Sequence, residues 1–332
     1  MPHLNQVDKT DSQIVEVDTP PAEKPLISVV IPCYYSEKMI RKVVTMTREE
    51  LVSNGYPYEF ILVNDGSRDG TFAEIEKLAN EDSQVVGIDC SKNLGQHSAT
   101  MAGLHHVHGD LIMLMDDDMQ THPSQCMTII HAMEETDDDV VFGQWPRQKT
   151  SWWRLAGSKF TTWSMQVMTK RPKEVEACNF LVMKRAIAEE LKRYTGPYIY
   201  IQGLLFRATT RMSNVAIKHF EREEGTSGYT LKTLIKLWST ILNFSMMPLR
   251  AASFIGTVLG VIGLISGIVV VVSKFVVPNY ALGWPSLMAA VLFCSGLILM
   301  SLGIIGEYLG RVFMTLNNSP QYVIRTLLDR RD

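Results

Sequence analysis

Short apolar runs alternate with amphipathic segments from residue 26 to about residue 145. Five apolar runs predict strands, and the segments between them repeat apolar side chains at helical spacing. The predicted strands are 26–33, 58–64, 85–89, 111–115 and 139–142, and the predicted helices are 37–52, 71–80, 96–107 and 123–135. Nearly continuous apolar strands that alternate with helices indicate a mostly parallel sheet with helices on both faces, an α/β fold.

Two longer apolar runs follow near the C-terminus. Residues 251–273 and 275–306 contain no Asp, Glu, Lys or Arg. Each run exceeds the roughly 20 residues that a membrane-spanning helix needs. Pro278, Asn279 and Pro285 interrupt the pattern between them, so we expect a two-helix transmembrane hairpin; a buried core hairpin is the alternative. Glycine pairs within the runs could support helix association between protomers, and hence a homo-oligomer.

Basic residues flank this hairpin on its two outer sides. They are Lys232, Lys236 and Arg250 before it and Arg311, Arg325, Arg330 and Arg331 after it. The positive-inside rule therefore predicts an inner (cytoplasmic) membrane protein with both termini in the cytoplasm. We divide the chain into a disordered polar tail (1–24), an α/β domain (25–228), an amphipathic juxtamembrane helix (229–248), two transmembrane helices (249–275 and 284–308) and a basic cytoplasmic tail (309–332).

Composition excludes several functions. The chain has 332 residues and a formal net charge of −3, so there is no electrostatic argument for a nucleic-acid partner. Its five cysteines are scattered without a Cys-x-x-Cys pair, which favours reduced thiols over a zinc ribbon or a disulfide framework.

Three consecutive carboxylates, Asp116, Asp117 and Asp118, follow the fourth predicted strand. Crowded carboxylates are costly unless a cation or a proton offsets their charge. Ligands of α/β proteins bind at the carboxyl ends of the strands, so a divalent metal that holds a phosphorylated ligand explains the cluster. The alternative is an acidic turn that caps the helix beginning near Pro123.

Polar motifs also follow the other strands. In the segment 64–71, Asp65 is a candidate to accept an N–H of a bound base, whereas Asp69 is expected to cap the next helix. The EF-hand alternative for this segment fails because a strand, not a helix, enters the loop. Asn93, Gly95, Gln96 and His97 open the third helix, and amides at such a start favour an anion or a polar edge of a nucleotide.

In this order, the motifs resemble glycosyltransferase family 2, which has the GT-A fold. They are Pro32-Cys33-Tyr34, Asp65-Gly66-Ser67-x-Asp69-Gly70, Asn93-x-Gly95 and Asp116-x-Asp118-x-Gln120. The segments 221–229 and 306–311, with the hairpin, are similar to the polyprenyl-phosphate glycosyltransferases of that family. The resemblance covers residues 26 to 325.

The resemblance implies inverting, metal-dependent transfer of a monosaccharide from a nucleotide sugar to a polyprenyl phosphate at the cytoplasmic face. We favour a UDP-sugar and undecaprenyl phosphate. By position, Asp116, Asp118 and Gln120 would hold Mg²⁺ or Mn²⁺ and the donor diphosphate, and Asp116, Asp118 and Arg222 would be catalytic. The implied donor- and phosphate-binding residues are Pro32, Tyr34, Asp65, Asn93, Gly95, His97, Asp117, Gln120, Arg147, Asn179 and Ser227.

Three features depart from the family pattern. Asn179 stands where many relatives have an acidic residue, so either no base is needed or Glu174 or Glu176 replaces it. Gly228 replaces a lysine, for which Lys232 could compensate. The arginines expected after the fifth strand are displaced, and Arg147, Lys149 and Arg154 are the candidates for their role.

Two other functions are alternatives. A processive polysaccharide synthase would need Gln-x-x-Arg-Trp, but Gln202 is followed by Gly203-Leu204-Leu205. A degenerate transferase domain could also serve as a membrane scaffold.

Overall fold

The computed structural model describes residues 24–145, 175–218, 247–276, 283–317 and 319–331. The strands are β1 (Ile27–Cys33), β2 (Tyr58–Asn64), β3 (Val85–Cys90), β4 (Leu111–Leu114), β5 (Val140–Gln144), β6 (Leu181–Lys184), β7 (Met212–Ala216) and β8 (Ile324–Leu328). The α-helices are α1 (Ile40–Ser53), α2 (Thr71–Glu81), α3 (Gln96–Leu104), α4 (Cys126–Glu135), α5 (Arg185–Lys192), α6 (Ile201–Ala208), α7 (Met247–Val276) and α8 (Trp284–Leu316).

One sheet unites the described strands in the order β7-β5-β6-β4-β1-β2-β3-β8. Its centre is parallel, because β1 pairs with β2 and β4 and β2 pairs with β3 in parallel register. The strand interiors are buried on both faces, against α1, α2 and α4 on one side and α3, α5 and α6 on the other. The expected α/β sheet with helices on both faces is confirmed.

The stretch 175–218 contains elements that the hydrophobic pattern does not predict. β6 inserts antiparallel between β4 and β5, and β7 pairs in parallel with β5. A strand of four residues has too little sequence for a periodicity to be recognised, and its partners lie far away in the chain. The predicted helix 123–135 is also more complex, since it begins as a 3₁₀ turn (Pro123–Gln125) before α4.

Two helices, α7 and α8, are long and apolar enough to cross a membrane, judged by length and composition. Their apolar windows are Ala252–Val269, with a mean hydropathy of 2.2, and Phe293–Leu316, with a mean hydropathy of 1.6. Many of their large apolar side chains are exposed. The Arg311 guanidinium donates to Glu307 one turn away, at 2.6 Å, which neutralises the acidic residue at the end of the apolar run.

Residues 309–332 were expected to form a basic tail, and the structure corrects this. α8 continues to Leu316, and β8 then pairs antiparallel with β3, with Gly87 opposite Leu328 and Asp89 opposite Thr326. The physical reason is the outer edge of β3, whose backbone groups would otherwise remain unpaired. The polar tail up to residue 23 and most of the predicted juxtamembrane helix (229–248) lie outside the described residues.

Side-chain interactions hold the C-terminal segment that contains β8 at two points, one near each end of the neighbouring strands. At the carboxyl end of β3, Arg325 donates to the Asp89 carboxylate at 3.1 Å and to the Ser91 carbonyl at 2.9 Å. At the opposite end, Arg331 pairs with Glu59; their side chains are only 8% and 2% exposed. The C-terminal segment is therefore an integral part of the α/β domain.

Replacing Arg331 by alanine should destabilise the protein, because the buried Glu59 carboxylate would lose its cationic partner. Removing one member of a buried ion pair costs about 3 kcal/mol or more of unfolding free energy. Thermal unfolding of the detergent-solubilised protein measures the change. Arg330→Ala, at the exposed neighbouring position, is the matched control. Equal losses in both variants would contradict the assignment.

Candidate functional site

A cleft of about 340 Å³ opens at the carboxyl ends of the parallel strands. It collects side chains from the loops that follow β1, β2, β3 and β4. Its lining residues are Pro32, Cys33, Tyr34, Asp65, Asn93, Gly95, Gln96, Asp116, Asp117 and Asp118. These loops are distant in sequence and meet because parallel strands present their carboxyl ends on one edge of the sheet.

Asp117 is held by the loop after β1. The Ser36 hydroxyl and the Tyr34 backbone N–H both donate to one oxygen of its carboxylate. Burial raises the pKa of Asp117, and these two hydrogen bonds oppose the rise. Tyr35 has a φ of +57° and Met119 a φ of +59°, which places a strained non-glycine residue in each of the two loops.

Asp116 is held by two side-chain amides. Gln96 donates to its Oδ1, and Asn179 donates to its Oδ2 at 3.3 Å. Burial raises the pKa of Asp116 to about 6, and the negative charges of Asp118 and Asp117 add to the rise. The site thus keeps a carboxylate at a position where its ionised form is electrostatically costly.

Asp118 turns the loop after β4, because its Oδ1 accepts the backbone N–H of Gln120 at 3.1 Å. Among the described residues, no three His, Cys, Asp or Glu side chains converge as a ready-made metal site. Mg²⁺ is commonly bound by one or two carboxylates together with the phosphates of a substrate. The crowded charges of Asp116 and Asp118 fit a cation that arrives with such a ligand.

Asp65 holds the neighbouring loop in place. Its two carboxylate oxygens accept the backbone N–H groups of Leu94 and Gly95, each at 2.9 Å. Gly66, with a φ of +64°, permits this approach, since a Cβ there would lie 2.6 Å from the Asn93 nitrogen. The Asp65 carboxylate therefore positions the start of α3, and its recognition of a base remains a prediction.

A small side chamber adjoins the cleft. It shares Pro32, Gln96 and Asp116 with the cleft, and its full lining is Pro32, Gln96, His97, Thr100, Leu114, Met115, Asp116, Asn179, Ile201 and Gln202. The Gln202 amide donates to Asn179 Oδ1 at 2.7 Å. The His97 ring packs edge-on against Tyr200, with 5.2 Å between the ring centroids.

Sequence reasoning missed three side chains of this site, Ser36, Gln96 and Gln202, as contributors of hydrogen bonds. Ser36 follows β1 and Gln96 lies within a quoted motif, so their positions at strand and helix ends were available signals. Gln202 had no such signal, because it is one buried residue of α6. Glu176, one of the two candidates to replace a base at position 179, lines neither the cleft nor the side chamber.

Several predicted site residues lie outside the described residues. They are Arg147, Arg222 and Ser227, together with the proposed substitutes Lys149, Arg154, Glu174 and Lys232 and the departure at Gly228.

Comparisons with known proteins give a consistent family. The model of Glycosyl transferase family 2 matches residues 28–192. The undecaprenyl-phosphate 4-deoxy-4-formamido-L-arabinose transferase of Proteus mirabilis is 30% identical over 306 residues, 91% of this chain and 94% of that protein. The protein of the same name from Yersinia enterocolitica is 31% identical over 306 residues, 91% of this chain and 93% of that protein.

Solved structures also align with this chain. The glucosyl-3-phosphoglycerate synthase of Mycobacterium tuberculosis aligns with a TM-score of 0.48 and 18% identity, covering 67% of this chain and 80% of that one. The mannosyl-3-phosphoglycerate synthase of Rubrobacter xylanophilus aligns with a TM-score of 0.47 and 13% identity, covering 68% and 74%.

Replacing Asp116 by Asn should stabilise the metal-free fold at neutral pH. The pKa of Asp116 is raised from 3.8 to about 6, so the folded state releases this proton at a higher pH than the unfolded chain does. At about 1.4 kcal/mol per unit, ionising Asp116 costs as much as about 3 kcal/mol of stability above that pH. This free-energy cost disappears as the pH falls from about 6 towards 3.8, the ordinary pKa of an Asp side chain.

Thermal unfolding in EDTA measures this difference. Asp116→Asn should unfold at a higher temperature than the wild type near neutral pH, and the gap should close by about pH 4. Asp89→Asn is the control and should lower the unfolding temperature, because the Asp89 carboxylate accepts a hydrogen bond from Asn64 and pairs with Arg325. A less stable Asp116→Asn protein at neutral pH would refute the electrostatic account.

Proposed function

The chain belongs to glycosyl transferase family 2 and is a glycosyltransferase, and we propose that it transfers a monosaccharide from a nucleotide sugar to a polyprenyl phosphate. We infer undecaprenyl phosphate as acceptor, because the relatives above are named for that lipid carrier. We propose a UDP-sugar as the donor. The reaction takes place at the cytoplasmic face of the membrane in this proposal.

The observation that carries the proposal is the position of the acidic run. Asp116, Asp117 and Asp118 line a cleft whose other walls are the loops suited to a nucleotide. The same chain carries two helices of membrane-spanning length, and the segment after the second one is part of the sheet. In this proposal, the donor site and the membrane-spanning helices are parts of one chain.

The chemistry requires little proton transfer. An oxygen of the lipid phosphate attacks the anomeric carbon, and the bond from that carbon to the nucleoside diphosphate breaks. The bonding electrons leave with the diphosphate, and attack from the opposite face inverts the anomeric configuration. A lipid phosphate is already anionic at neutral pH, so an amide at position 179 is compatible with this reaction.

The residues of the chain would orient the donor and accommodate its leaving group. Asp116 and Asp118 would hold Mg²⁺ or Mn²⁺, which when bound supplies positive charge beside the departing diphosphate. The Asp65 carboxylate holds the start of α3 in position, because it accepts the backbone N–H groups of Leu94 and Gly95. Arg222 and Arg147 are the proposed additional cations for the diphosphate.

Replacing Asp118 by alanine should reduce the lipid-linked product by at least about 100-fold, because the leaving diphosphate loses its electrostatic support. Membranes or proteoliposomes are incubated with undecaprenyl phosphate, Mg²⁺ or Mn²⁺ and a radiolabelled nucleotide sugar, and the organic phase is counted. The donor panel contains UDP-glucose, UDP-galactose, UDP-xylose, UDP-N-acetylglucosamine, UDP-4-deoxy-4-formamido-L-arabinose and GDP-mannose.

Glu135→Ala, an exposed carboxylate at the end of α4, is the matched control and should keep full activity. EDTA should abolish the product, and either cation should restore it. An inactive wild type with every donor would favour the membrane-scaffold alternative. Full activity of the Asp118→Ala protein would refute the proposed role of the acidic run.

A further inference from the structure

Gln202 carries a buried acceptor that has no partner. The residue is 6% exposed, and its buried Oε1 accepts no hydrogen bond from the described residues. A buried acceptor left unsatisfied costs free energy that an apolar residue would not cost. Because Gln202 lines the side chamber, a bound ligand could supply the missing hydrogen-bond donor.

The orientation of the neighbouring amides forces this arrangement. A carboxylate can only accept, so Asn179 must turn its Nδ2 towards Asp116, and the observed hydrogen bond has this direction. Asn179 Oδ1 then faces Gln202, which must present its Nε2 and does so at 2.7 Å. Gln202 Oε1 is consequently the last atom of this series of hydrogen bonds. Turning either amide by 180° would place two donors or two acceptors opposite each other.

The chamber around Gln202 is small and opens on the site. Its volume of about 10 Å³ is close to the minimum for one water-sized group. It shares the Asp116 and Gln96 side chains with the larger cleft. A whole sugar ring does not fit, whereas a single hydroxyl or N–H group that projects from a sugar does.

We propose that this chamber is a specificity subsite for the donor sugar, in which Gln202 Oε1 accepts a hydrogen bond from one hydroxyl or amide N–H substituent of the sugar. The inference rests on the proposed function, because the sugar reaches the chamber only when the diphosphate lies near Asp116. Asn179 is a positioning residue in this scheme, since it orients Gln202 through its Oδ1.

The subsite favours sugars that carry this hydrogen-bonding substituent over sugars that lack it. A sugar that lacks this substituent leaves Gln202 Oε1 buried and unpaired, which corresponds to about a 10-fold to 100-fold lower kcat/KM. The nucleoside and the diphosphate do not enter the chamber, so their contribution to binding is independent of Gln202.

The experiment compares the best nucleotide sugar of the donor panel with its deoxy analogues, each of which lacks one hydroxyl or one amide substituent, on the full-length protein. The wild type should process one analogue about 10-fold to 100-fold less well than the parent. Gln202→Met and Gln202→Leu should process that analogue and the parent equally well. Inhibition by the free nucleoside diphosphate should be unchanged.

Gln321→Met is the control, because the Gln321 amide donates to the backbone carbonyls of Tyr194 and Gly196 and does not line the chamber. It should keep the wild-type discrimination. An active wild type whose parent-to-deoxy ratios all match those of Gln202→Met means that the chamber holds only water, and it overturns this inference alone. A wild type that transfers no sugar contradicts the proposed function, and the inference falls with it.

Discussion

Crowding of three carboxylates at the carboxyl end of β4 is the constraint on which the site depends. The side chains and backbone groups that donate to Asp116 and Asp117 are neutral: two amides, one hydroxyl and one backbone N–H. Neutral donors position the oxygens without cancelling their charge, so the negative potential remains directed into the cleft. The protein thereby accepts a local loss of stability in exchange for a preorganised electrostatic site.

The same edge of the sheet also connects the cleft loops to the C-terminal strand β8. Asp89, at the end of β3, accepts both from Asn64 at the end of β2 and from Arg325 of β8. Asn64 in turn accepts the backbone N–H of Ser67 in the loop beside the cleft. Seven residues separate the end of α8 from β8, so the chain that leaves the apolar helices returns directly to the strand beside these loops.

Asn179 gives the site a character that an acidic residue at this position would not give it. An acidic residue here would add a fourth negative charge beside Asp116, whereas the amide donates to Asp116 and fixes the direction of the next amide. The amide offers no base, and it forms a directional series of hydrogen bonds that ends at Gln202. An acceptor phosphate needs no base, so the loss is compatible with lipid-phosphate glycosylation.

The sequence by itself determined the alternation of strands and helices up to residue 145, the strand ends that carry Asp65 and Asp116, and the two apolar helices. These features are encoded locally, by hydrophobic period, by helix-start residues and by uninterrupted apolar length. Only the tertiary structure decided that β6 and β8 join the sheet, that Asp65 holds the start of α3, and that Gln202 reaches Asn179. Such contacts join residues far apart in the chain, and no local pattern encodes which distant partner a polar group will find.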